Sequence, residues 1–220
     1  KSNHKVRCVL LTGNGRAFCA GQDLQEVTEI AKDPDRELGE VVHHTYNPII
    51  RAIRNLEKPV ICAVNGTAAG AGANIALACD MVFATEEAKF IQSFSNIGLI
   101  PDSGGTYILP RLIGLARATE LTFTGRPVKA PEAVEMGMIY KSVPSEELVS
   151  EATALCEKFA TMPTRGYGLT KKGFNAGFNN NLETQLNLEA DLQAEAGSTE
   201  DYNEGVAAFL EKRKPEFKGK

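Results

Sequence analysis

The residues best suited to chemistry are an aspartate and two turns built from small residues. Asp102 follows the apolar run 97–101 (IGLIP) and precedes the small residues 103–105 (SGG). Apolar surroundings disfavour the charged form of a carboxyl group, so they raise its pKa and favour a general base that works near neutrality. The alternative is that Asp102 caps a helix starting at Ser103, which would lower its pKa. The local pattern leaves both interpretations open.

The two turns are residues 20–23 (AGQD) and 69–72 (AGAG). If the strands before them are neighbours, backbone N–H groups from both turns converge on one oxygen. Two such donors form an oxyanion hole, in which one donor is typically worth about 3 kcal/mol in the transition state. The alternative is that glycine and alanine only allow a helix to pack closely on a strand.

The second turn lies between a predicted strand and a predicted helix. The apolar run Val60–Val64 predicts a buried strand, Asn65-Gly66 stops it, and the small residues 67–73 lead into a helical pattern ending near Cys79. Such an arrangement leaves backbone N–H groups free at the turn, with the positive end of the helix dipole behind them. It is a place to stabilise negative charge.

Composition limits the classes of function. The chain has 220 residues and 43% hydrophobic content, enough for one domain with an appendage. Its net charge of -4 gives no basic patch for nucleic acid. We recognise neither a membrane span nor a secretory signal. The five cysteines form no CxxC pair and the three histidines show no ligand spacing, which favours a reduced cytoplasmic protein without a metal site. The chain lacks an initiator Met, so we expect a missing N-terminal segment.

The elements that position these residues alternate between strands and helices, which predicts an α/β core over 1–144 followed by a helical region over 145–220. Strands are predicted at 5–12, 60–64, 81–84, 88–92 and 138–143. Helices are predicted at 38–56 with a kink near Pro48, and at 72–79, 104–113, 115–124, 129–136, 145–160, 164–176, 181–196 and 199–213. The polar segment 25–38 is either a loop that closes over a ligand or an ordinary surface loop.

Several motifs together resemble the crotonase (enoyl-CoA hydratase/isomerase) superfamily. They are 18–24 (FCAGQDL), 63–66 (AVNG) with 69–72, Cys79-Asp80, 98–105 (GLIPDSGG) and the tail 201–213. The resemblance implies a spiral core of ββα units, a C-terminal helical trimerisation region and an acyl-CoA thioester as substrate. It implies a homotrimer or a dimer of trimers, no separate cofactor, and roughly 30 further residues at the N-terminus, as domain size also suggests.

The resemblance also assigns roles to residues. The backbone N–H groups of Gln22 and Ala71 would form the oxyanion hole and stabilise the enolate that forms when a proton leaves C2 of the thioester. Cations near the C-terminal tail would meet the CoA phosphates. The implied substrate- or CoA-binding residues are Ala17, Cys19, Ala20, Gly21, Gln22, Asp23, Leu24, Gly70, Ala71, Gly72, Asn74 and Phe94.

Two departures from the hydratase pattern change the expected reaction. Hydratases of this family position water with two glutamates, and those positions are Asn74 and Phe94 here. The carboxylate is instead Asp102, where hydratases usually carry glycine. This arrangement implies a shuttle that removes a proton at C2 and returns it at C4.

An aspartate at this position and the C-terminal tail resemble the phenylacetate-degradation isomerases of the family, which convert ring-1,2-epoxyphenylacetyl-CoA to the oxepin thioester and are expected to shift a 3-enoyl to a 2-enoyl double bond. The alternatives are an enoyl-CoA hydratase with a replacement carboxylate, or a catalytically silent acyl-CoA-binding subunit. Asp102 argues against the second alternative, since binding alone would not require it.

Overall fold

The structure is a computed structural model and describes residues 3–23, 32 and 37–220. Its strands are β1 (Val9–Thr12), β2 (Ala17–Cys19), β3 (Val60–Val64), β4 (Thr67–Ala69), β5 (Met81–Thr85), β6 (Lys89–Ile91), β7 (Pro127–Lys129) and β8 (Lys141–Val143). Its helices are α1 (Leu38–Val41), α2 (Asn47–Arg54), α3 (Ala71–Leu77), α4 (Gly105–Ile113), α5 (Leu115–Thr124), α6 (Ala130–Glu135), α7 (Leu148–Ala160), α8 (Thr164–Gly177), α9 (Leu182–Gly197) and α10 (Glu200–Glu211). The predicted α/β class with a helical C-terminal region is confirmed.

The strands form two sheets of four, in the orders β1-β3-β5-β8 and β2-β4-β6-β7. In the pairs β1/β2, β3/β4 and β5/β6, the first strand joins one sheet and the second joins the other, as expected of repeated ββα units, whereas β7 and β8 join them in the reverse order. β3 pairs in parallel with β5, from Ile61 opposite Met81 to Val64 opposite Ala84. All five residues of β3 are buried, as the unbroken apolar run predicts for a central parallel strand.

The strands predicted from the sequence do not include Ala17–Cys19, which form β2 directly before the first turn. Likewise, the small residues from Thr67 to Ala69 form β4 rather than part of a turn. Each of these strands has only three residues, too few for a period-two pattern to appear in the sequence. They exist because they pair with each other in parallel, Ala17 opposite Thr67.

The predicted kink near Pro48 takes the form of a π turn. Residues Val42–Tyr46 separate α1 from α2, and the N–H of Asn47 donates to the carbonyl of Val42, five residues earlier. Pro48 lacks the N–H group that an uninterrupted α-helical ladder would use. The wider turn therefore stands just before the position where that ladder would lose a bond.

The chain divides into two compact units, one made of 1–10, 54–60 and 153–220 and the other of 11–53 and 61–152. The predicted boundary between 144 and 145 stays a prediction. Within the first unit, the carboxylate of Asp201 accepts hydrogen bonds from the N–H groups of Lys218 and Gly219, at 2.6 and 2.8 Å.

Side-chain contacts stabilise two helix surfaces. Thr199 caps α10, since its hydroxyl accepts a 3.0 Å hydrogen bond from the N–H of Tyr202. Glu120 forms an exposed ion pair with Arg126 at 2.8 Å.

Among the helices that the structure describes, none combines the length and the apolar character needed to cross a bilayer.

Candidate active site

The two small-residue turns meet at one edge of a sheet. They follow β2 and β4, which are parallel neighbours, so the condition for convergence set by the sequence is met. Gly21 has φ +95, and a Cβ built on it would lie 3.5 Å from the carbonyl oxygen of Ala69 and 3.8 Å from the nitrogen of Ala71. The turn that carries Gln22 therefore lies against the first residue of α3.

The start of α3 combines an open donor with close packing. Gly70, the residue before the helix, has φ 53 and ψ -126. No side chain caps the N-terminus of the helix. Because Ala71 is the first helical residue, its N–H has no partner within the helix. A Cβ at Gly72 would lie only 2.3 Å from the carbonyl oxygen of Cys19. The packing role and the donor role suggested by the sequence thus fall on different residues of the same turn.

Asp102 is half-buried and its carboxylate is held by its neighbour. The hydroxyl of Ser103 donates a 2.9 Å hydrogen bond to Oδ1 of Asp102. Burial raises the pKa of Asp102 above its ordinary value, and the bond from Ser103 opposes part of that rise. α4 begins at Gly105 with Gly104 as its N-cap and has no side-chain cap. The carboxylate of Asp102 therefore does not cap this helix; only its backbone carbonyl accepts from Gly105, at 2.8 Å.

The loop that carries this carboxylate has an unusual backbone. Ser103 has φ 51 although it is not glycine, and Gly104 follows with φ 76. A non-glycine residue in the left-handed region costs about 1–3 kcal/mol and persists only where its surroundings hold it. Ser103 is 1% exposed, so packing holds it in this conformation.

Two buried side-chain amides, those of Asn74 and Gln92, help to keep this loop in its conformation. Asn74 is 1% exposed, and its Nδ2 donates a 2.9 Å hydrogen bond to the backbone carbonyl of Asp102. Its Oδ1 accepts a 2.8 Å hydrogen bond from Nε2 of Gln92. A Cβ at Gly105 would lie 2.3 Å from Asn74 Nδ2, so α4 can begin beside this amide only with glycine. Sequence reasoning did not single out Gln92, since no local pattern marks a partner 18 positions away.

Phe94 lies on the other side of the turn that precedes α3. It belongs to the short 3-10 helix Ser93–Ile97 and is buried. Its ring carbon Cζ would lie 3.7 Å from a Cβ at Gly70. The two positions at which the family resemblance implies glutamates in hydratases therefore hold, in this chain, an amide bonded within the protein and an aromatic ring.

The remaining predicted binding residues lie on or just after β2. Ala17 and Cys19 are half-buried strand residues, whereas Ala20 and Asp23 are exposed. Leu24 and nearly all of the segment 25–38 lie outside the described residues. Contacts of these residues with a substrate stay predictions.

Comparison with known proteins places the chain in a family. The sequence pattern of the family described as enoyl-CoA hydratase/isomerase matches residues 1–220. The chain is 52% identical to the 1,2-epoxyphenylacetyl-CoA isomerase of Escherichia coli (strain K12) over 215 residues, covering 98% of this chain and 82% of that protein. It is 44% identical to a probable enoyl-CoA hydratase of Rhodobacter capsulatus over 220 residues, covering 100% of this chain and 84% of that protein.

Solved structures of the same family resemble this chain. The crystal structure of an enoyl-CoA hydratase from Polaromonas sp. JS666 matches with a TM-score of 0.90 and 35% identity, covering 98% of this chain and 84% of that chain. The chain belongs to the enoyl-CoA hydratase/isomerase family of enzymes and has its crotonase fold.

Proposed function

We propose that this protein is an acyl-CoA isomerase that works through a thioester enolate. Asp102 is its acid and base, and the backbone N–H groups of Gln22 and Ala71 are its oxyanion donors. The observation that carries the proposal is the position of Asp102: a half-buried carboxyl group whose backbone is bonded to α3, the helix that begins at Ala71. The 52% identity to an epoxide isomerase supports the same class of reaction.

For a 3-enoyl thioester, the steps balance without water. The carbonyl oxygen accepts hydrogen bonds from Gln22 and Ala71 while the carboxylate of Asp102 removes a proton from C2. The C–H electron pair forms the C1–C2 double bond, and the negative charge moves to the oxygen held by the two donors. Asp102 then returns the proton to C4. The electrons of the C3–C4 double bond form the new C–H bond, a C2–C3 double bond forms, and the carbonyl returns.

We propose 1,2-epoxyphenylacetyl-CoA as the natural substrate and the oxepin thioester as its product, in phenylacetate degradation. The name of the Escherichia coli relative supports this choice. Both this reaction and the double-bond shift start with loss of the proton at C2, so one base serves both. Phe94 adds an apolar surface beside the turn at Gly70, which suits an aromatic or aliphatic acyl group better than an attacking water.

Hydration of an enoyl-CoA is the second candidate, and the name of the Rhodobacter capsulatus relative favours it. The chemistry of the site opposes it. Neither Asn74 nor Phe94 can act as a base or an acid, and the amide of Asn74 is already bonded to Gln92 and to the Asp102 backbone. Among the site residues that the structure describes, Asp102 alone would be left to activate the water.

We also propose that CoA enters only as part of the substrate, without a separate cofactor, and that the enzyme is a cytoplasmic homotrimer. Large exposed apolar side chains on the C-terminal helices support subunit contacts; they include Phe174, Leu182, Phe209 and Leu210, which are 68–83% exposed. The cysteines form no disulfide in the part of the chain that the structure describes, which is typical of a reducing compartment. Sedimentation analysis of the purified protein tests the oligomer, and a monomer at micromolar concentration would contradict it.

The function is tested by one side-by-side assay. The purified protein and its Asp102→Asn variant are each given the epoxide thioester, a 3-enoyl-CoA and a 2-enoyl-CoA. We expect turnover of the first two substrates by the original protein alone, and little water addition to the third. Rapid hydration of the 2-enoyl-CoA that survives in Asp102→Asn would replace the proposal with a hydratase. Tight binding of all three thioesters without turnover would indicate a silent binding subunit.

A further inference from the structure

The carboxylate of Asp102 is placed by a chain of bonds that begins far from it in sequence. Gln92 Nε2 donates to Asn74 Oδ1 at 2.8 Å, and Asn74 Nδ2 donates to the Asp102 carbonyl at 2.9 Å. Both amide side chains are at least 95% buried, with exposed fractions of 5% for Gln92 and 1% for Asn74. We propose that Asn74 and Gln92 are positioning residues that fix the base of the isomerase relative to the oxyanion donor at Ala71. This inference rests on the proposed function.

The direction of the two amides is determined by the backbone. The carbonyl of Asp102 can only accept a hydrogen bond, so Asn74 must turn its Nδ2 toward it. Its Oδ1 then faces Gln92, which must present Nε2. As a result, Gln92 Oε1 is a buried acceptor without a donor among the described residues.

That orphan acceptor shows that the orientation is retained at a cost. Leaving a buried polar atom unpaired is destabilising, because the hydrogen bonds that it made to water in the unfolded chain are lost without replacement. An apolar side chain in place of Gln92 would remove the orphan but would also remove the donor that orients Asn74. The arrangement is therefore better explained by placement of the Asp102 backbone than by stability alone.

The geometry also explains why this placement matters for proton transfer. Asn74 lies three residues after Ala71, so one turn of α3 separates the oxyanion donor from the amide that holds the base. The Asp102 carbonyl is held on its other side by the N–H of Gly105 at 2.8 Å. Ser103, which lies between Asp102 and Gly105 in the chain, has a left-handed backbone conformation that needs support from its surroundings. Without Asn74, the loop is free to relax and carry the carboxylate away from C2.

The main test uses Asn74→Asp, which keeps size, removes the donor and adds a negative charge beside Asp102. We expect kcat to fall about 100-fold, as displacement of a reacting group by about 1 Å can do, with KM changed little. The added charge also raises the pKa of Asp102. The acidic limb of the pH profile of kcat/KM should therefore move to higher pH, which a variant that merely unfolds would not show; Gln92→Met, which adds no charge, tests positioning by itself.

A second variant, Gln92→Met, separates positioning from stability. It removes the unpaired Oε1 of Gln92 but leaves Asn74 Oδ1 unpaired, so the number of buried orphan acceptors stays the same. We expect the melting temperature to change little while kcat falls about tenfold. The matched control is Thr85→Val, which changes a buried polar residue on β5 and should leave kcat and the pH profile unaltered.

The double variants decide whether Asn74 acts through Asp102. In an Asp102→Asn background, Asn74→Asp should cause no further loss of kcat, because residues that act as a unit are strongly non-additive. If Asp102→Asn is inactive but Asn74→Asp and Gln92→Met keep full kcat and an unchanged acidic limb, the positioning inference is wrong while the proposed function stands. Additive losses in the double variant would also overturn it. If Asp102→Asn is itself fully active, the proposed function fails, and the inference with it.

Discussion

Asn74 Nδ2 lies 2.9 Å from the backbone carbonyl of Asp102, 28 positions later in the chain. This single bond connects the helix that begins at Ala71 with the loop that carries the only carboxylate assigned to the reaction. The family resemblance implies that hydratases carry a water-binding glutamate at the position of Asn74. Here the side chain at this position holds the backbone of Asp102, the proposed base. If the implied correspondence holds, the change from hydration to isomerisation involves the loss of two glutamates and the anchoring of an aspartate at position 102.

Replacing Asp102 with Asn should abolish proton transfer while keeping the size of the side chain. We expect kcat to fall by about 10²–10⁴-fold, the usual contribution of a general acid–base group. Exchange of the C2 protons of a substrate with deuterated water should be lost in parallel, as mass spectrometry can measure. The matched control is Glu87→Gln on an exposed corner after β5, which should leave turnover intact. Undiminished C2 exchange in Asp102→Asn would mean that another group is the base.

Replacing Ser103 with Ala should shift the pH profile upward. The Ser103 hydroxyl bond lowers the pKa of Asp102, against the larger raising effect of burial. Without the bond the pKa rises further, and because the base must be ionised, the acidic limb of kcat/KM moves to higher pH. Ser150→Ala is the control, since that hydroxyl bonds only the exposed Glu147 carbonyl, at 2.9 Å. An acidic limb that stays in place or moves down contradicts this account.

The raised pKa of Asp102 also predicts a direction for stability. A carboxyl group whose pKa is higher in the folded state than the ordinary 3.8 favours folding when it is protonated. That contribution is present at low pH and is lost as pH rises from the unfolded pKa through the folded one. The Asp102→Asn variant should therefore lack this part of the pH dependence in urea unfolding. An identical dependence in both proteins would show that burial of this carboxyl has little energetic effect.

Replacing Gly72 with Ala should disturb the contact between α3 and β2. The new Cβ would lie 2.3 Å from the Cys19 carbonyl oxygen, and backbone atoms on both sides would have to move. Overpacking of this kind costs about 1–3 kcal/mol, and movement of α3 would also displace the donor at Ala71. Gly197→Ala is the matched control, because nothing lies within 4 Å of its Cβ; in a helix it should be neutral or stabilise by up to about 1 kcal/mol. Urea unfolding distinguishes the two, and equal stabilities would contradict the packing argument.

Replacing Thr199 with Ala should weaken the start of α10. The hydroxyl accepts a 3.0 Å hydrogen bond from the N–H of Tyr202, and loss of such a cap costs about 1 kcal/mol. Thr199→Ser keeps the acceptor and should retain most of the stability. The measurement is the midpoint of urea unfolding at neutral pH. A similar loss in both variants would show that the methyl group, rather than the cap, matters.

The elements predicted correctly from the sequence have strong local signals. β3 is an unbroken apolar run of five residues, all of them buried, and the long C-terminal helices carry clear helical periodicity. β2 and β4 were not predicted as strands, because a strand of three residues is too short to show a period-two pattern. Their extended conformation comes from pairing with each other across about 50 residues of chain, as with Ala17 and Thr67.

The candidate site, like the fold, could be predicted only in part from the sequence. The types of residue at Asp102 and in the two turns, together with a family resemblance, were enough to suggest an enolate and a base. Residue types alone left open whether Asp102 caps a helix. The structure decides that question, since α4 begins at Gly105 and has no side-chain cap.

By itself, then, the sequence determined which chemical groups are available: backbone donors at a glycine-rich helix start, one carboxylate in apolar surroundings, and no acid at Asn74 or Phe94. These are properties of single residues and their immediate neighbours. Only the tertiary structure decided how the groups are held, through the bond from Asn74 to the Asp102 carbonyl and the bond from Gln92 to Asn74. The physical reason is that a hydrogen bond between distant residues depends on the packing of whole elements, and no local pattern records which buried amide will face which carbonyl.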